Sequence, residues 1–231
     1  MVIDFQSHLF PEEYLNEMAR IQGNVILEAP DPYSGMSYFY DKQLKCRINT
    51  ATFQGREPER RVEHMDSLGV DIQVLSVPPP GADRFDGDGA VSLARKANDA
   101  LARICKKYPR RFVGLFTLPT ASTRDSLDEL ERSVTELGLR GFGCYSNLNG
   151  RPLDSEELFP IYERLAKLGI PVYIHPTAPL ATQATGLDIM PVLIFGFNGL
   201  HNWYPNIPEI ALTRVLNDYL VNPPWSRMYF T

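Results

Sequence analysis

Cysteine is scarce in this sequence, and long apolar runs are missing from it. Three cysteines, Cys46, Cys105 and Cys144, lie far apart among 231 residues and form no C-x-x-C pair. Such spacing argues against a disulfide framework and a thiolate zinc site, and it is typical of reduced thiols in the cytoplasm. The longest apolar stretch, residues 189–197, contains Pro191 and is too short to span a bilayer. We therefore predict a soluble, cytoplasmic protein that does not bind membranes.

Runs of like charge are also absent. The chain has 23 Lys and Arg against 28 Asp and Glu, and no long block of one sign. This pattern does not suit a nucleic-acid surface or a polybasic membrane anchor. No glycine-rich phosphate loop follows any of the predicted strands, which disfavours nucleotide binding. We expect a small molecule as the partner, and no nucleic acid.

The sequence does contain a regular alternation of strands and helices. Strand-type apolar runs cover residues 71–77, 111–116, 141–145 and 171–175. Helical periods cover residues 57–68, 90–108, 127–137 and 154–168. Alternation at about 30 to 40 residues per unit is typical of βαβ units around a parallel sheet, either doubly wound or closed into a (β/α) barrel. We predict one α/β domain over residues 1–231.

The alternation weakens after His175. Residues 176–231 leave room for about two further units, whereas a closed eight-stranded barrel usually takes about 250 residues. A barrel built from this chain would therefore be incomplete at its C-terminal side.

Two of these helices have further sequence signals, an apolar face in one and start and stop residues in the other. The helix over residues 90–108 places apolar side chains on one face: Leu93, Ala97, Leu101 and Ile104. The helix over residues 154–168 opens with Asp154 and Glu157, a capping-box-like pair. It ends at Gly169, because glycine accepts the left-handed conformation that closes many helices.

Two predicted strands end in a histidine. The last strand of the regular series runs into His175 and is stopped by Pro176, and a short strand at the start of the chain delivers Gln6 and His8. In a parallel α/β fold these strand ends meet where ligands bind, so both histidines are candidate metal ligands or acid/base groups. A histidine that only makes hydrogen bonds at a strand end remains the alternative. Positions 6 and 8 are two apart, which predicts that both side chains point to the same side.

A long segment without clear periodicity covers about residues 24–55. It is rich in tyrosine and punctuated by prolines, and segments of this length in compact domains are usually functional or contain a small hairpin. We expect it to cover the site as a lid or to form an oligomer contact, with a decorative insertion as the alternative. Arg47 within it is a candidate substrate-binding residue, because guanidinium pairs with carboxylates through two hydrogen bonds.

Several ordered motifs resemble those of the amidohydrolase-related decarboxylases, typified by aminocarboxymuconate semialdehyde decarboxylase. The resemblance extends over about residues 1–197, and the motifs that carry it are DFQSHLFP at 4–11, MDSLGVDIQVLS at 65–76, YPRRFVGL at 108–115, LP at 118–119, ELER at 129–132, LFPIY at 158–162 and IHP at 174–176.

The resemblance implies a (β/α) TIM-barrel-like, metal-dependent hydrolase fold with zinc or manganese. In that family a His-x-His or Glu-x-His pair after the first strand and a His after the fifth strand hold the metal, together with a late Asp. His8 and His175 match two of these positions, whereas Gln6 stands where the family has His or Glu. Because an amide oxygen is a poorer zinc ligand than imidazole or carboxylate, we expect the metal to be weakly bound or absent. No His-Gly-Gly segment is found, which leaves the catalytic acid/base unassigned.

Two functions follow from the resemblance. The first is a metal-dependent enzyme that decarboxylates a small aromatic or enoic carboxylic acid without oxidation, or that carries out a related hydrolysis. The second is a catalytically silent or truncated relative that binds a ligand or a partner. A missing part of the barrel would leave sheet edges exposed, which favours a homodimer.

Overall fold

The computed structural model describes residues 1–21, 23–28, 38–42, 46–49, 58–175 and 228–230, with the backbone alone for 46–49 and 228–230. The chain divides into two compact units, Met1–Arg140 and Gly141–Thr231. Each unit is described by itself below, and the prediction of one domain over the whole chain stays a prediction.

The first unit is built on three parallel strands in the order β1-β5-β6, with a separate antiparallel sheet in the order β2-β3-β4. Its elements in chain order are β1 (Ile3–His8), α1 (Glu12–Arg20), β2 (Val25–Leu27), β3 (Tyr38–Asp41), β4 (Cys46–Asn49), α2 (Pro58–Leu68), β5 (Ile72–Ser76), a 3₁₀ turn (Ala82–Arg84), α3 (Gly87–Lys107), β6 (Phe112–Phe116) and α4 (Thr123–Thr135).

The second unit continues the same pattern. Its strands are parallel in the order β7-β8-β9, and its described elements are β7 (Gly141–Tyr145), a 3₁₀ turn (Glu156–Leu158), α5 (Phe159–Leu168), β8 (Val172–His175) and β9 (Met228–Phe230). Gly169 closes α5 at φ 66°, as predicted. The predicted capping pair is wrong, because no side chain caps α5: a 3₁₀ turn that begins at Glu156 leads into it.

Helix α3 shows why the alternation could be predicted. Leu93, Ala97 and Leu101 are fully buried and Ile104 is half-buried, which confirms the predicted apolar face. Burying one such large aliphatic side chain contributes about 1.5–3 kcal/mol, so this face holds α3 in place. The apolar periodicity of α3 is set by its own residues. It can therefore be predicted without knowing what the helix packs against.

The carboxyl end of β6 is held by a buried polar side chain of α3. Asn98 is fully buried; its Oδ1 accepts a hydrogen bond from the Thr117 N–H at 2.9 Å, and its Nδ2 donates to the Thr117 carbonyl at 2.9 Å. The same Nδ2 donates to Glu129 Oε1 of α4 at 2.7 Å. Because both backbone groups of Thr117 are satisfied by one side chain, the strand end has a single defined position.

The segment over residues 24–55 is more regular than its sequence indicates. Its described part forms an antiparallel sheet in which β2 pairs with β3 and β3 with β4. The small hairpin left open from the sequence is therefore present. Its strands have only three or four residues each, too short for a period of two to stand out.

Glu17 provides a test of acid stability. This buried carboxylate of α1 accepts hydrogen bonds from Arg20 at 2.6 and 3.2 Å and from Ser92 Oγ at 2.6 Å, and these bonds, that from Arg20 first, lower its pKa to about 2. A carboxyl pKa that folding lowers contributes stability above its unfolded value of 4.5, and this contribution is lost as the pH falls toward 2. We expect Glu17→Gln to be less stable than the wild type near neutral pH, and to lose less stability on acidification.

Urea unfolding at about pH 6 and about pH 3 measures that difference. Glu12→Gln, an exposed change in the same helix, is the matched control and should behave like the wild type. Parallel pH profiles for Glu17→Gln and the wild type would contradict the assignment.

Candidate active site

The carboxyl end of β1 places His8 beside Ser76. His8 pairs in register with Ser76, the last residue of β5, and residues paired in this way project to the same face of the sheet. The Nδ1 atom of His8 and the Oγ of Ser76 are 3.0 Å apart and hydrogen-bonded. His8 is half-buried, whereas Ser76 is only 4% exposed. The sequence motif thus places a histidine ring at a strand end with one nitrogen already engaged.

The backbone of His8 is held by a side chain of α2. Arg61 donates from one terminal nitrogen to the His8 carbonyl at 2.5 Å, and from the other to Ser7 Oγ at 3.2 Å. The second nitrogen also lies 3.4 Å from Gln73 Oε1 of β5. A planar guanidinium with several fixed donors is suited to joining a strand end to its neighbour in this way.

Gln6 lies in an irregular part of β1. The register with β5 shifts between Asp4 and Ser7, so this stretch of β1 contains a bulge, and the Gln6 N–H donates to Asp4 Oδ1 at 3.3 Å. Gln6 is exposed. The bulge interrupts the strict alternation from which positions 6 and 8 were predicted to share a side, and the proposed ligand role of Gln6 stays a prediction.

His175 ends β8, as the sequence predicts. It pairs in register with Tyr145 of β7, and its carbonyl accepts a hydrogen bond from the Ser146 N–H at 2.9 Å. Its ring is half-buried, and its centroid is 6.5 Å from that of Tyr173. His175 belongs to the second unit and His8 to the first, so each is described in its own unit.

The small antiparallel sheet is attached to the ends of β1 and β5. Phe39 of β3 is fully buried and packs edge-on against Phe10, with ring centroids 5.0 Å apart. Asp41 of β3 forms a buried ion pair with Arg84 of the 3₁₀ turn after β5, with 2.6 Å between Oδ2 and the guanidinium nitrogen. These contacts hold the small sheet at the carboxyl ends of β1 and β5. In parallel α/β folds, the loops at these strand ends carry ligand sites.

Arg47 lies in β4 of this small sheet, opposite Tyr40 in the register. Only its backbone is described. Its contact with a substrate carboxylate, the role of the segment as a lid, and the homodimer therefore stay predictions.

The donor atoms on these strand ends suit a divalent ion in part. Imidazole is a common ligand of zinc and manganese, and a ligating histidine usually has its second ring nitrogen hydrogen-bonded, as His8 Nδ1 is. Within the described part of the chain, no group of three or more His, Cys, Asp and Glu side chains is arranged to hold a metal. Each unit therefore offers an imidazole at a strand end, and the first unit also offers the amide oxygen of Gln6.

The amidohydrolase sequence family matches residues 3–211 of this chain. The chain belongs to the amidohydrolase family. It is 40% identical over 198 residues to a 2-amino-3-carboxymuconate-6-semialdehyde decarboxylase of Dictyostelium discoideum, a match that covers 82% of this chain and 51% of that protein. It is 33% identical over 189 residues to a gamma-resorcylate decarboxylase of Rhizobium sp. (strain MTP-10005), covering 75% of this chain and 56% of that protein.

A solved structure of a dihydroxybenzoic acid decarboxylase from Polaromonas sp. JS666 matches this amidohydrolase with a TM-score of 0.58 and 28% identity. The match covers 81% of this chain and 53% of that chain, which contains bound manganese and the inhibitor 2-nitroresorcinol. The predicted α/β fold of the amidohydrolase barrel type is thereby confirmed, and the chain spans about half the length of these relatives. No helix among the described residues is long and apolar enough to cross a membrane.

Ser76 and Arg61 are the site residues that sequence reasoning did not identify. Ser76 is the last residue of β5 and the penultimate residue of the strand predicted over residues 71–77, so the parallel pairing of two strand ends was a usable signal for its proximity to His8. Arg61 gave no such signal, because an arginine in the first turns of an exposed helix has the pattern of a solvated surface residue.

Proposed function

We propose that this amidohydrolase carries out metal-dependent, non-oxidative decarboxylation of a small aromatic or enoic carboxylic acid. The observation that carries the proposal is His8, which lies at the carboxyl end of β1 with its Nδ1 hydrogen-bonded to Ser76 and its carbonyl bound by Arg61. The three decarboxylases named above support the reaction class, and the manganese in the Polaromonas enzyme supports a divalent ion. They give no support to a catalytically silent binding protein.

His8, His175 and Gln6 would hold the divalent ion. A bound divalent ion supplies positive charge that orients and polarises substrate oxygens. Both imidazoles must be neutral to act as ligands, so metal affinity should fall as the pH drops below the histidine range. Gln6 contributes no negative charge, which predicts weaker binding than in a site with a second imidazole or a carboxylate. The proposed ion is zinc or manganese.

The remaining steps are bond cleavage in the substrate and its orientation by protein side chains. The bond between the ring or enoic carbon and the carboxylate breaks, carbon dioxide leaves, and a proton takes its place on that carbon. Arg47 would pair with a substrate carboxylate through two charge-assisted hydrogen bonds and so orient the substrate. The proton donor is a group that the described residues do not identify.

The test is carbon dioxide release from dihydroxybenzoic acids and an aminocarboxymuconate semialdehyde, measured on purified protein with its metal content determined by elemental analysis. We expect release that stops on removal of the metal by a chelator and returns when zinc or manganese is added back. Folded protein that contains no metal and releases no carbon dioxide with either ion would contradict the proposal and favour the silent relative.

A further inference from the structure

We propose that Ser76 is a positioning residue for His8 and makes Nε2 the metal-ligating nitrogen of that ring. The inference rests on the proposed metal-dependent function and adds to it the choice of nitrogen and the residue that makes this choice. Three observations carry it: the 3.0 Å contact between His8 Nδ1 and Ser76 Oγ, their pairing in register, and the burial of Ser76.

The argument begins with the two nitrogens of a neutral imidazole, one of which carries the proton while the other has the lone pair that binds a metal. The Ser76 hydroxyl can accept a hydrogen bond from a protonated Nδ1 or donate one to an unprotonated Nδ1. The proposal assigns the first arrangement, which leaves the lone pair on Nε2. Metal-ligating histidines commonly donate their second N–H to an oxygen in this manner, which fixes the ring and raises its basicity. Because Ser76 is 4% exposed, bulk water does not compete freely for this contact.

The backbone contact from Arg61 strengthens the same constraint. The Ser76 hydroxyl fixes the ring of His8, whereas the Arg61 guanidinium, at 2.5 Å from the His8 carbonyl, fixes the main chain from which the ring projects. A ligand held at both points loses little freedom when it binds an ion. The fixed position of His8 matters more here than in a site with two strong ligands on the first strand, because Gln6 is a poorer metal ligand than a histidine or a carboxylate.

The first experiment needs no metal, and its only variant serves to assign signals. Histidine-labelled, metal-free wild-type protein is examined by long-range proton–nitrogen NMR above the pH at which histidines are protonated, with His8→Gln used to assign the His8 signals. We expect His8 to carry its proton on Nδ1. A proton on Nε2 would overturn the inference, whatever the protein does with metals.

The second experiment measures manganese and zinc binding by calorimetry for the wild type, Ser76→Ala, Ser76→Thr and Ser67→Ala. Removing an outer partner of a metal ligand typically costs about 10- to 100-fold in affinity, which is the loss expected for Ser76→Ala. Ser76→Thr keeps the hydroxyl and should retain most of the affinity. Ser67→Ala removes an exposed hydroxyl of α2 that donates to the His64 carbonyl at 2.7 Å, and it should match the wild type.

The outcomes separate the two proposals. If wild-type protein binds neither ion, the metal-dependent function fails, while the NMR experiment still decides the tautomer of His8. If the wild type binds metal and Ser76→Ala binds it equally well with an unchanged tautomer, the positioning role of Ser76 is wrong and the function stands.

Discussion

Replacing Glu129 by alanine is expected to lower the free energy of unfolding by about 3–5 kcal/mol, because the change leaves buried and half-buried polar partners without their acceptor. Glu129 of α4 is 1% exposed and lies among donors from both α3 and α4. Arg132 donates to both of its carboxylate oxygens at 2.8 Å, Asn98 donates to Oε1 at 2.7 Å, and Arg95 Nε is 3.4 Å from Oε2.

The effect should extend beyond a single ion pair. The hydrogen bonding that Arg132 donates to Glu129 is the main cause of the raised pKa of the Arg132 guanidinium, so Glu129 stabilises the charged form of Arg132. Asn98 would lose one partner while still bridging the two backbone groups of Thr117 at the end of β6. Loss of Glu129 therefore weakens the link between α3, α4 and the strand end all at once.

Urea unfolding followed by circular dichroism measures this loss. Glu129→Gln keeps an acceptor for Asn98 but removes the charge, so its loss should be smaller than that of Glu129→Ala. Asp128→Ala, an exposed change on the same helix, should alter the free energy of unfolding by no more than about 0.5 kcal/mol. A Glu129→Ala protein as stable as Asp128→Ala would show that the network does not contribute to folding.

This network also marks the limit of prediction from sequence. Residues 129–132 were identified as part of a family-like motif, yet nothing in that motif indicates that the partner of Glu129 is Asn98, 31 positions earlier on another helix. Side-chain networks depend on where two helices cross, which is set by tertiary packing. Helical period and apolar alternation are local, and for that reason the predicted bounds of β7 and the buried face of α3 agree with the structure.

The departures from prediction have the same origin. The bulge in β1 depends on pairing with β5, 64 or more residues further along the chain, and it is not encoded in residues 2–8 alone. The 3₁₀ turn that replaces the predicted cap of α5 depends on the backbone hydrogen bonds that Ser155 and Leu158 donate to carbonyls three residues earlier. Sequence reasoning placed His8 and His175 at strand ends correctly, and it could not place Arg61, which is brought to His8 only by the packing of α2.

Replacing His8 by alanine is expected to weaken metal binding by at least about 100-fold, because loss of an outer partner alone costs about 10- to 100-fold and this change removes the proposed ligand itself. Metal-dependent carbon dioxide release should fall with it. His175→Ala should have the same effect if both imidazoles hold the same ion. The matched control is His64→Ala, which removes an exposed imidazole from α2 and should change neither property.

Thermal unfolding gives a readout that does not depend on turnover. An ion present at a hundred times its dissociation constant stabilises the folded wild type by about 2.7 kcal/mol, provided that the unfolded chain binds it poorly. His64→Ala should show the same metal-induced rise in melting temperature, whereas His8→Ala should show almost none at that ion concentration. A full rise in His8→Ala would mean that the ion binds elsewhere, and the strand-end histidine would then be a hydrogen-bonded structural residue after all.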